Sequence, residues 1–121
     1  MSEFLTIKLG NKQYVENDEL GRKYIGYEPS MTDEAIYEAA RGIWHIDPTR
    51  LLQVENVLVA NNKGYILQTI EVTGLDKHDN GKVSFRGRIV YSDYNGQQIK
   101  LPNRNSIRYM DSKKLASERI H

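Results

Sequence analysis

Three short clusters hold the side chains with the most chemistry. Tyr37, Arg41 and Trp44 are spaced four and then three apart, so on a helix and its exit they share one side. Two aromatic faces flanking a guanidinium suit stacking on a base and holding an anion. The same spacing also suits a core anchor, because Tyr37 and Trp44 sit beside the apolar stripe Ile36, Ala40 and Ile43, and a lone Trp in a small domain usually packs inward. Lys82, Arg86 and Arg88, with Ser84 between them, alternate as on one face of a strand. There they project about 7 Å apart, close to the spacing of successive phosphates. A solvated cationic sheet face is the competing reading. The third cluster, Asn103 to Tyr109, packs Arg104, Asn105, Ser106, Arg108 and Tyr109 into one segment. Its amides and hydroxyls suit base edges or sugar hydroxyls and its arginines suit phosphate; alternatively the asparagines cap a turn and Arg108 pairs with a carboxylate.

Groups suited to bond-making are few. His45, His78 and His121 are far apart in the chain, and there is no cysteine, which removes disulfides, thiolate nucleophiles and cysteine-based zinc sites. His45 with Asp47 resembles an oriented acid–base pair, but no activated serine completes it. Neither a Walker pattern nor GxGxxG occurs. The expectation is a binding module rather than an enzyme, with no catalytic residue, metal or cofactor.

The elements that must position these clusters follow from periodicity and turn chemistry. Phe4 to Leu9, the Gly10-Asn11 turn and Gln13-Tyr14-Val15 predict an N-terminal hairpin. Tyr24 to Tyr27 runs extended up to Pro29. Ser30 or Thr32 caps a helix in which Ile36, Ala39, Ala40 and Ile43 recur at helical spacing, and Pro48 opens a short helical turn through Leu52. Val57 to Ala60, Asn61 to Gly64 and Tyr65 to Val72 read as strand, turn and strand. Gly74 to Gly81 reads as a charged loop, Lys82 to Tyr91 as a strand, Gln98 to Leu101 and Ser106 to Met110 as shorter ones, and Lys113 to Ile120 as a terminal helix. This order predicts an α+β fold: a curled antiparallel sheet or partial β-barrel with one main covering helix and a short C-terminal helix.

At 121 residues, with 39% hydrophobic and 27% charged side chains, the chain suits a single domain over 1–121. Its parts are an N-terminal hairpin region (1–23), a core (24–110) and a C-terminal helix or tail (111–121). A net charge of +1 gives no global field toward nucleic acid or acidic lipid, so any anion site is local. No apolar run approaches the roughly 18 residues of a membrane span, and the first residues carry no basic, apolar leader. The expectation is a cytoplasmic protein without a membrane partner, of host or mobile-element origin alike.

The stretch Thr32-Asp33-Glu34-Ala35-Ile36-Tyr37-Glu38-Ala39-Ala40-Arg41-Gly42-Ile43-Trp44, with Val83 to Arg88 (VSFRGR) and Asn105 to Tyr109 (NSIRY), resembles an uncharacterised family of small domains. Members stand alone or beside nuclease and restriction-type proteins. The resemblance spans most of 25–110. It implies recognition near foreign or modified nucleic acid, in a host-defence or phage and mobile-element setting, through a barrel similar to PUA-like folds. Two features depart from the pattern. Ser106 stands where the family has proline, and Gln97 to Pro102 replaces a short glycine-lysine helical insert. The N-terminal hairpin region lies outside the resemblance.

Together these readings predict a nucleotide-binding or nucleic acid-binding module in which Tyr37, Arg41, Trp44, Arg86, Arg88, Arg104, Asn105, Ser106, Arg108 and Tyr109 line one hollow. The alternative is a protein-interaction module or inhibitor subunit anchored by exposed Tyr and Arg side chains, eight tyrosines being many for this length. A homodimer is compatible with either.

Overall fold

Phe4, Leu5, Thr6 and Ile7 are consecutive and all buried, a pattern a strand achieves only when both of its faces are covered. The computed structural model, which describes residues 3–18, 20–101 and 106–120, places this strand inside a sheet. β1 (Glu3–Lys8) lies between β4 (Asn56–Ala60), to which it runs parallel, and β8 (Ile107–Asp111), to which it runs antiparallel. β5 (Ile66–Lys77) and β6 (Val83–Val90) complete a five-stranded sheet of order β6-β5-β4-β1-β8.

The α+β class holds, with an open sheet rather than a closed barrel. Two strand pairings differ from expectation. One pairing, β1 with β4, is parallel. The N-terminal hairpin does not form: β2 (Gln13–Tyr14) pairs instead with β3 (Tyr24–Ile25) as a separate two-stranded ribbon. Gln13 and Tyr14 are exposed, so they offer β1 no two-sided cover. Alternation marks a strand without naming its partner.

One sheet face is covered by α1 (Asp33–Ala40) and α2 (Pro48–Leu51). The Thr32 hydroxyl accepts from the Ala35 N–H at 3.2 Å and Asp33 and Glu34 occupy the first turn of α1, satisfying an orphan donor and the positive helix end. Asp47 caps α2 in the same way, with Pro48 in its first turn. Ile36, Ala39, Ala40 and Leu51 then pack on Leu5, Ile7, Val57, Val59, Ile70 and Phe85. Across the other face, α3 (Ser112–Glu118), capped by Asp111, buries Leu115 against Phe4, Leu58, Ile66, Ile99 and Met110. There β7 (Gln98–Ile99) pairs with β9 (Arg119–Ile120).

The stretch expected as a loop from Gly74 to Gly81 is mostly strand. β5 continues to Lys77, paired to Val83, and only the turn around Asp79–Gly81 leaves the ladder. A register shift between Val72 and Gly74 absorbs one extra residue, so Gly74 follows a bulge rather than ending a strand.

Candidate functional site

After α1 the chain turns along the free edge of β6. The Trp44 N–H donates to the Val83 carbonyl at 2.9 Å, the Val83 N–H returns the bond at 2.8 Å, and the Phe85 N–H donates to the Arg41 carbonyl at 2.8 Å. This approach needs Gly42, because a Cβ there would stand 2.6 Å from Ser84 Cβ. The Trp44 indole N–H donates to the Ala40 carbonyl at 2.8 Å, closing the helix end while the ring packs, half-buried, against the core.

A groove of about 530 Å³ opens beside this segment, within the size range of small-molecule sites. One wall is the helix exit, with Ala39, Gly42, Ile43 and Trp44. The opposite wall is the β2–β3 ribbon, through Gln13, Val15 and Ile25, and the turn at Glu16, Asn17 and Asp18. Lys8, Leu9, Gly10 and Asn11 supply the end of β1, and Lys82 and Ser106 bring in the starts of β6 and β8. The lining thus combines an indole, two lysines, the Arg22 guanidinium, amides and a hydroxyl with two carboxylates.

Arg22 fixes the ribbon to the helix. Its guanidinium reaches both Asp18 carboxylate oxygens, at 2.8 and 3.0 Å, and donates to the Glu38 and Gly42 carbonyls at 3.1 and 2.6 Å. Each side chain of the pair is 11% exposed. The Arg22 side chain lowers the Asp18 carboxyl most, and the Arg22 and Leu20 backbone N–H groups lower it further, outweighing desolvation and bringing it to about 2. Orphan carbonyls at a helix C-terminus favour a cation, so Arg22 serves as a structural clamp.

The three sequence clusters do not form one hollow. Trp44 and Ser106 line the groove. The Tyr37 hydroxyl accepts the Gly87 N–H at 3.0 Å, and Arg41 lies 3.6 Å from Glu38. Arg86 and Arg88 lie on edge strand β6, bound to Asp76 at 3.1 Å and Glu71 at 2.8 Å. Arg108 and Tyr109 lie on the opposite edge strand, four strand spacings away, about 19 Å. Successive residues point to opposite faces, so Arg108 falls on the Met110 and Phe4 side and Tyr109 on the Leu5 side. The Tyr109 ring lies 3.9 Å under the Arg50 guanidinium, and burial raises its hydroxyl above the ordinary tyrosine value. Arg108 Nη1 and the Tyr109 hydroxyl are buried without a hydrogen-bond partner among the described residues. Arg104 and Asn105 lie outside the described residues.

Sequence reasoning missed Lys8 as a groove residue and the Asp18–Arg22 clamp. The clamp's signal was an acid and a base four apart in a polar break. It also missed a contact between His78 Nε2 and Ser84 Oγ at 2.8 Å. A hydroxyl beside an imidazole suits nucleophilic catalysis, but Ser84 is fully buried, and this contact instead links the two sides of the β5–β6 turn. Among the described residues no group of three or more His, Asp or Glu side chains is placed to hold a metal ion, and no helix is long and apolar enough to cross a membrane.

Compared with known families, characterised proteins and solved structures, the chain matches none of them.

Proposed function

We propose that the chain is a non-catalytic module whose groove binds a small nucleotide-class ligand. The observation that carries this reading is the meeting of Trp44, Lys82, Ser106 and Lys8, from four separate segments, around one groove of about 530 Å³. An indole offers a stacking surface for a planar base. Two ammonium groups and a hydroxyl suit a phosphate. Asn11, Gln13 and Asn17 supply amide donors and acceptors for base edges or sugar hydroxyls.

A single nucleotide suits this site better than a nucleic-acid backbone. Arg86 and Arg88, the side chains best spaced to follow phosphates, already face counter-charges on their own sheet, and the net charge is only +1. Binding should therefore depend weakly on salt, whereas a polyanion would show a steep slope.

Trp44 is the only tryptophan, so its intrinsic fluorescence reports the groove directly. Titration with purine and pyrimidine nucleoside monophosphates should give a saturable change, weaker or absent with inorganic phosphate and reduced by Lys82→Ala. A flat fluorescence response, with no heat by calorimetry for any nucleotide up to millimolar concentration, would refute the reading.

A further inference from the structure

Charge is segregated along the chain. Residues 98–121 carry six lysines and arginines against Asp111 and Glu118, a net +4, which leaves −3 on residues 1–97. The fold gathers the described part of this basic segment around α3, whose Leu115 packs on the sheet face opposite α1. Lys100, Lys113, Lys114 and Arg119 are all exposed there. Lys114 bonds the Glu118 carboxylate at 3.0 Å and the Lys100 N–H donates to the Glu118 carbonyl at 2.8 Å. Lys114 first, then Arg108 and Lys100, hold the Glu118 carboxyl below its ordinary value, so one carboxylate stands among three cations. Elsewhere Arg22, Arg41, Arg50, Arg86 and Arg88 each have a carboxylate within 3.6 Å. Among the described cations of the basic segment, Lys114 alone is in an ion pair. Beside it, a shallow cleft of about 620 Å³ brings Arg119 together with Tyr65, Gln98 and Ile120, and Asp93 is the one carboxylate in its lining. Tyr65 is 44% exposed. It pairs with Gln98, and Gln98 pairs with Ile120, so the three side chains stand in one row across neighbouring strands.

We propose that this face binds single-stranded nucleic acid, with Lys100, Lys113 and Arg119 on backbone phosphates and Tyr65 stacked on a base. An exposed ring and an unpaired guanidinium in one cleft match the alternation of base and phosphate along a single strand. A duplex keeps its base faces stacked away from Tyr65. An anionic lipid surface supplies charge but no planar partner for the ring, and an acidic peptide supplies charge without a regular series of bases. The low overall charge does not oppose the contact, because at ordinary salt fields fade over about 10 Å and a docked strand meets the local +4 segment rather than the whole chain. This surface is separate from the groove and does not depend on it. Few contacts and no base-edge readout make it a weak, salt-sensitive interaction.

Fluorescence anisotropy of a labelled oligothymidylate of about 15 nucleotides tests the contact, titrated between about 25 and about 200 mM salt. Three phosphate contacts on a single strand predict a log–log slope of affinity against salt of about −2. Lys113→Gln with Arg119→Gln should make that slope shallower by about 1.4 and weaken binding about tenfold or more at the lowest salt. Lys23→Gln with Lys77→Gln removes the same charge from other surfaces and should change neither. Tyr65→Leu should weaken binding about fivefold or more with the slope unchanged. Circular dichroism checks that each variant folds, with Lys100→Gln and Lys113→Gln as the substitute pair should the first fail. No anisotropy change at the lowest salt overturns the proposal, as does a loss in the Lys23 and Lys77 variant equal to that in the Lys113 and Arg119 variant. Quenching of Trp44 over the same titration would place the strand in the groove and overturn it too. Equally tight binding of polyglutamate, of phosphatidylserine vesicles or of a duplex of the same length would overturn the assignment to single strands.

Discussion

Asp18→Asn removes the charge that holds Arg22 between the ribbon and the end of α1. The lowering of the Asp18 carboxyl from 3.8 to about 2 corresponds to roughly 2 kcal/mol at 1.36 kcal/mol per pKa unit, an upper bound because nearby water screens the pair. The sign follows from linkage: a carboxyl whose folded pKa is depressed stabilises the fold above its unfolded value, near 3.8, and loses that contribution as pH falls toward 2. At pH 7 the variant should be about 1–2 kcal/mol less stable by urea unfolding, with melting lower by roughly 4–8 °C for a domain of this size. At pH 3 about half of the gap should be gone, since the unfolded carboxyl is by then mostly protonated while the folded one is not. A gap that stays constant from pH 7 to pH 3, or a variant as stable as the parent at pH 7, would refute the clamp.

Gly64→Ala should cost about 1–3 kcal/mol or more in urea unfolding, because Gly64 has φ of +87° and an added Cβ would press on the Ile99 backbone carbonyl. Trp44→Phe removes the donor to the Ala40 carbonyl and should lower stability by about 1–2 kcal/mol. Calorimetric affinity for a nucleoside monophosphate should fall less for Trp44→Phe than for Trp44→Ala, which also removes the aromatic face.

Elements were legible where local chemistry was sufficient. Helix α1 could be read from Thr32, its acidic first turn and the Ile36–Ala39–Ala40 stripe, and the β4–β5 hairpin from β-branched runs around Asn61 to Gly64. What could not be read was pairing over long sequence distance. Nothing local in Phe4 to Ile7 says that its neighbours are Asn56 to Ala60 and Ile107 to Asp111, and the nearby Gln13–Tyr14 run offered a false partner. Of the groove lining, Trp44 and Ser106 were singled out by residue type. The separation of Arg86 and Arg88 from Arg108 could not be read, because spacing along a strand gives the face a side chain occupies but not the edge on which its strand lies. Lys8 carried no signal, because its role depends on where β1 ends against the ribbon.

The central position of β1 has a consequence for biosynthesis. The Thr6 hydroxyl bonds the Arg108 carbonyl across 102 residues of chain, so a growing polypeptide leaves one edge of this apolar strand unpaired until translation has passed residue 111, even once β4 has covered the other. The β4–β5–β6 meander closes over short separations and is free to form first, whereas docking β1 against β8 waits for ribosomal release of that segment. Slow codons or a stall before residue 107 would prolong exposure of that edge, and of Phe4, whose neighbours include Met110 and Leu115, to chaperones and to aggregation.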